Sequence, residues 1–85
     1  MGRIFITGSS EGLGLMAGRL LVEQGHTVVL HARNAARARD ARAALPTVEA
    51  VVTGDVATIA GVTHVAEEAN NLGRFDTVIH NVAVG

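Results

Sequence analysis

Cysteine is missing from all 85 residues, so neither disulfides nor thiolate metal sites can help hold the fold, which fits a reducing cytosol. Lysine and tyrosine are absent as well, and all 7 basic side chains are arginine. Against 8 acids they leave a net charge of −1, which does not indicate a general nucleic-acid-binding surface. No apolar run approaches bilayer-spanning length. Arg3 is followed directly by strand-like residues, so the start lacks a signal-peptide layout. Met1-Gly2 resembles a myristoylation start, but Ile6 stands where Ser or Thr would be wanted. The expected setting is soluble and cytoplasmic, with neither nucleic acid nor membrane as partner. The hydrophobic content of 48% beside 18% charged residues describes a globular chain, long enough for one small domain near the lower limit of what a single core stabilises.

The most informative stretch is Thr7-Gly8-Ser9-Ser10-Glu11-Gly12-Leu13-Gly14, which follows the apolar run Ile4-Phe5-Ile6 and opens a helical segment over 13–24. A strand that turns through glycines into a helix makes a phosphate site. The first helical N–H groups have no intrahelical partner, and they carry the positive end of the helix dipole. Gly8 permits a sharp exit from the strand, Gly12 keeps a Cβ away from an approaching pyrophosphate, and Gly14 lets the helix lie close to the sheet. Ser9 and Ser10 add hydroxyls able to bond phosphate or ribose oxygens. The spacing is neither G-x-G-x-x-G nor that of a P-loop, which ends in Gly-Lys-Ser/Thr.

Strand and helix signals then alternate, with no linker, internal repeat or low-complexity stretch. Residues 3–7 read as a buried strand, and Gly25 stops the first helix. The continuously apolar, β-branched run 27–30 suits a strand covered on both faces. Asn34 is an N-cap for an Ala/Arg-rich helix that Pro46 ends. Residues 49–53 form a third strand. Thr58 begins a helix whose Val62, Val65, Ala69 and Leu72 make one apolar stripe, Gly73 stops it, and 76–82 form a fourth strand. The order β-α-β-α-β-α-β with right-handed crossovers predicts a parallel sheet.

Thr-Gly-x-x-x-Gly-x-Gly at the first strand-to-helix turn resembles the short-chain dehydrogenase/reductase family, over essentially the whole chain but only the first half of that family's domain. The resemblance implies an α/β fold: half of a Rossmann-type doubly wound sheet, four parallel strands in the order 3-2-1-4 with helices on both faces. Residues 1–85 would form a partial NAD(P)-binding domain. It implies coenzyme-binding roles for Gly8, Ser9, Ser10, Gly12, Leu13, Gly14, Arg33, Asp55, Val56 and Asn81. NAD-binding versions place a carboxylate after the second strand for the ribose hydroxyls. Here Arg33 stands there, suited to the extra 2′-phosphate of NADP, and no acid lies between Gln24 and Ala38. NADP is therefore the expected coenzyme, ahead of NAD. Against this, Glu11 occupies a place where NADP-using relatives often carry a basic residue. Asp55 would accept from the adenine amino group and Val56 would flank the ring. The family's Asn-Asn-Ala-Gly end of the fourth strand reads His80-Asn81-Val82-Ala83 here, and only Asn81 matches. His26, His31 and His64 show no metal-ligand spacing.

In that family a Tyr exchanges the proton, a Lys four residues later lowers its pKa and a Ser orients the substrate oxygen. This chain holds no Tyr and no Lys, so no catalytic residue is assigned. The implied function is an NADP(H)-dependent oxidoreductase represented by its coenzyme-binding half and inactive alone. The alternatives are a naturally short, non-catalytic dinucleotide-binding or regulatory module, and a structural piece that binds nothing. Val78, Ile79 and Val82 would lie on an open edge, so self-association through the fourth strand or an uncovered sheet face is expected.

Overall fold

The computed structural model describes residues 2–10 and 12–81. Seven elements alternate: β1 (Arg3–Thr7), α1 (Gly12–Glu23), β2 (Thr27–Ala32), α2 (Ala35–Ala44), β3 (Ala50–Thr53), α3 (Ile59–Leu72) and β4 (Thr77–His80). The four strands form one sheet in the order β3-β2-β1-β4, and every pairing is parallel. This is the expected half of a doubly wound sheet.

Alternation along the strands divides the core in two. Ile4, Ile6, Val28 and Leu30 face α1 and α2, where they meet Ala41, Leu45 and Val48 as well as Leu15 and Leu21. Phe5, Val29 and Val52 face the other way, onto Val65 and its partly buried companions Ala69 and Leu72 on α3. Two covered faces explain why the centre of β2, Val28 to Leu30, is continuously apolar. Val62, expected in the α3 stripe, is 49% exposed.

Local chemistry sets the helix ends. At the end of α1 the Gly25 N–H bonds Val22 O and the His26 N–H bonds Leu21 O, with Gly25 at φ 92°. This is a Schellman closure that satisfies two otherwise orphaned carbonyls. The Asn34 side chain accepts from the Arg37 N–H at 2.9 Å and caps α2. The Thr58 hydroxyl accepts from Gly61 N–H at 2.9 Å and caps α3. Asn34→Ala removes one such bond at an exposed helix end and is expected to cost about 1 kcal/mol, read as a lower urea midpoint at unchanged slope.

The N-terminal edge of the sheet is tied down by Arg3. Its guanidinium makes a forked contact with Glu49, at 2.9 and 2.6 Å, donates to Arg74 O and lies 4.9 Å above the Phe75 ring. The hydrogen bond to Glu49 raises the Arg3 pKa above its ordinary value. The Arg3 backbone and Asp76 exchange two further bonds. These hold residue 76 just outside the ladder, so β4 begins at Thr77 opposite Ile4, one residue later than expected. The expected extension of β4 to Val82 lies outside the described residues. With one edge closed in this way, the opposite edge remains for a ligand.

Candidate functional site

The strands end at Thr7, Ala32, Thr53 and His80, so Gly8, Arg33, Gly54 and Asn81 are each the first residue past a strand, all at one edge. Open α/β sheets bind ligands outside the carboxyl ends of their strands, where crossovers leave for opposite faces. Here α1 leaves from β1 toward one face and α3 from β3 toward the other. The ten residues proposed from sequence are thus brought to a common edge, although they span nearly the whole chain.

The glycine turn is shaped by backbone need. Gly8 and Gly12 sit at φ 63° and 64°, in the left-handed region that side chains other than glycine's adopt at a cost. A Cβ on Gly12 would meet nothing within 4 Å among the described residues, so they leave open space over the start of α1. Gly14 meets the opposite constraint. A Cβ there would lie 2.6 Å from both Gly8 O and Asn81 Nδ2, so only glycine lets α1 pack against the turn and the end of β4.

Three expected ligands turn out to have other employment. Ser9 is fully buried. Its hydroxyl donates to Ile6 O at 2.7 Å and accepts from the His31 N–H at 2.8 Å, while its own N–H bonds His31 O. Ser9 thus braces the end of β1 against β2, with its hydroxyl and its N–H both engaged inside the protein. The Gly8 N–H is likewise spent, on the His31 ring at 2.9 Å. Asn81 Nδ2 donates to Gly8 O at 3.3 Å and its N–H to Thr7 Oγ1 at 3.1 Å, so Asn81 acts on the turn it supports. The N–H groups of Gly12 and Leu13 lie in the first turn of α1, where an α-helix leaves its amides without an intrahelical partner.

Arg33 is exposed and no described residue holds its guanidinium, whereas Arg37 already takes part in an interaction. Asp55 is exposed too. One of its carboxylate oxygens accepts from the Ala57 N–H at 3.0 Å, which shapes the turn into α3 and leaves the other oxygen toward solvent. Val56 borders a largely apolar pocket of about 290 Å³ that Phe5, Thr7, Val62, Val65, Ala66 and His80 complete. Glu11, Val82 and Ala83, where the sequence departs from the family pattern, lie outside the described residues.

Sequence reasoning missed Thr7, His31, Gly54 and Gly61. His31 had one usable signal, a polar ring in an otherwise apolar buried strand. The glycines had none, since what they touch depends on how α3 docks. Among the described residues no group of three or more His, Asp or Glu could hold a metal ion, and no helix is long and apolar enough to cross a membrane.

Comparison with known proteins converges on one family. The profile of the short chain dehydrogenase family matches residues 3–85. An uncharacterized oxidoreductase of Emericella nidulans is 60% identical over 85 residues, which cover 100% of this chain and 33% of that protein. The crystal structure of L-sorbose reductase from Gluconobacter frateurii, complexed with NADPH and L-sorbose, superposes with a TM-score of 0.85 at 34% identity, covering 99% of this chain and 34% of that one. The NADP complex of RhlG from Pseudomonas aeruginosa gives 0.83 at 29% identity, covering 96% of this chain and 35% of that one. The chain spans about a third of the length of the curated relatives it matches.

Proposed function

The chain belongs to the short-chain dehydrogenase family, and from that membership we propose that residues 1–85 are the coenzyme-binding part of an NADP(H)-dependent oxidoreductase acting on a carbonyl or alcohol. The observation that carries the coenzyme reading is the space that the described residues leave open over Gly12 at the start of α1, one strand away from Arg33, whose guanidinium none of them holds. The Ser10, Gly12 and Leu13 amides would receive the diphosphate at the positive end of the helix dipole. Arg33 would pair with the 2′-phosphate through charge-assisted bonds. Asp55 would accept from the adenine amino group through its solvent-facing oxygen, and Val56 would flank the ring.

The coenzyme itself supplies the hydride. The residues of this chain bind and orient it. Proton transfer to the substrate oxygen needs an acid of suitable pKa, and with no tyrosine and no lysine among these 85 residues none of them is assigned that role. Isothermal calorimetry with NADPH and NADH tests the assignment. Tighter binding of NADPH is expected, and equal affinity for the two would end the NADP preference.

Self-association is the second part of the reading. Val78 on β4 is 46% exposed, and β4 has a partner on only one side among the described residues. An apolar strand edge is a template for pairing with another chain. Sedimentation of residues 1–85 should show a species that grows with concentration, and Val78→Lys should shift it toward monomer. A fully folded monomer at high concentration would contradict this.

A further inference from the structure

We infer that His31 is a positioning residue that sets the spacing between the turn receiving the diphosphate and the loop receiving the adenine. This rests on the coenzyme reading above. The imidazole is 2% exposed and stands at the end of β2, between the other two loops. Its Nδ1 lies 2.9 Å from the Gly8 nitrogen and its Nε2 2.7 Å from Gly54 O. The partners dictate the proton's place. An amide N–H can only donate, so Nδ1 must accept. A carbonyl can only accept, so Nε2 must carry the hydrogen. The neutral Nε2–H tautomer alone satisfies both.

The consequence is a rigid link across the top of the sheet. Gly8 precedes the amides of the phosphate turn, and Gly54 precedes Asp55 and Val56. Neither residue contacts the other, and β1 is separated from β3 by the whole of β2. A planar ring with one acceptor and one donor at fixed separation spans that gap. The backbone of residue 31 is anchored in turn by Ser9, which bonds both its N–H and its carbonyl. A dinucleotide touches both loops at once, so its affinity depends on their separation. A mononucleotide seated only at Arg33, Asp55 and Val56 does not sense it, because the Gly54 N–H bond to Ala32 O, 3.0 Å, ties that loop to β2 independently of the ring.

The test compares NADPH with adenosine 2′-monophosphate, which carries the adenine and the 2′-phosphate but no diphosphate, on the protein as its gene encodes it. His31→Leu removes both contacts and leaves the Gly8 N–H and the Gly54 carbonyl unpaired, and is expected to weaken NADPH about tenfold or more. His31→Asn keeps an acceptor near the Nδ1 position but cannot reach Gly54, and is expected to weaken NADPH about threefold. Affinity for adenosine 2′-monophosphate should stay flat in both. Hydrogen exchange supplies a readout independent of ligand: the Gly8 amide should exchange faster in either variant while those of Ile6 and Val29 keep their protection. Should the leucine variant not fold, the asparagine variant carries the same comparison.

Unchanged NADPH affinity in the variants, or adenosine 2′-monophosphate weakening in step with NADPH, overturns the inference alone. Wild-type protein that binds neither NADPH nor NADH overturns the functional reading and this one with it.

Discussion

Gly61→Ala is expected to destabilise the protein by about 2 kcal/mol or more, although alanine is the better helix former. Two effects of opposite sign compete at this position in the first turn of α3. Intrinsic propensity favours alanine by roughly 1 kcal/mol inside a helix, and less near an end. Against it, a Cβ at residue 61 would overlap the carbonyl oxygen of Asp55 and lie 2.6 Å from its carbonyl carbon. Both are backbone atoms with no rotamer to escape through. Overpacking costs about 1–3 kcal/mol even where side chains can adjust, so the steric term wins.

The loop that must yield carries Asp55 and Val56. It is held by bonds from the Thr58 N–H and hydroxyl to Asp55 O, both at 3.1 Å. On the opposite side, a Cβ on Gly54 would lie 2.5 Å from Val65 Cγ2. Urea unfolding of the variant should therefore show a lower midpoint, and calorimetry a weaker NADPH affinity. A midpoint equal to or above that of the wild type would mean that α3 stands off from this loop.

Arg33 carries the second large effect. A hydrogen bond to a charged partner contributes about 1.5–3 kcal/mol, but this guanidinium is exposed, and solvent screening favours the lower end. Arg33→Ala should therefore weaken NADPH about tenfold and leave NADH nearly unchanged, because only the former carries the 2′-phosphate. Arg33→Asp goes further, since a carboxylate repels that phosphate and accepts from the ribose hydroxyls of NADH. The preference should then reverse. Loss of both coenzymes in parallel would show that Arg33 supports the fold and not the 2′-phosphate.

The edge at which these residues meet is built from parts with different ranges. The caps and stops were legible one at a time: Asn34, Thr58, Gly25 and Gly73 act on backbone groups a few residues away, and each stands where the helices begin or end. The glycine turn was legible for the same reason, because a left-handed φ at Gly8 and Gly12 is a local demand. The alternation of apolar strands and helices was enough to predict the parallel sheet, its strand order following from the family resemblance.

Ser9 shows where that legibility stopped. Its type and place suit a phosphate ligand, yet its hydroxyl bonds His31, 22 residues away. That contact exists only once β1 and β2 lie in register.

The amino-acid sequence by itself thus determined the element types, their order and the glycine-rich form of the first turn, because these depend on φ preferences, end caps and hydrophobic period within a few residues. Only the tertiary structure decided that the Gly8 and Ser9 amides are engaged inside the protein, that His31 joins two loops, and that Gly61 lies against the Asp55 backbone. Those properties are distances between backbone atoms brought together by sheet register and helix docking, and no pattern along the chain encodes a distance of that kind.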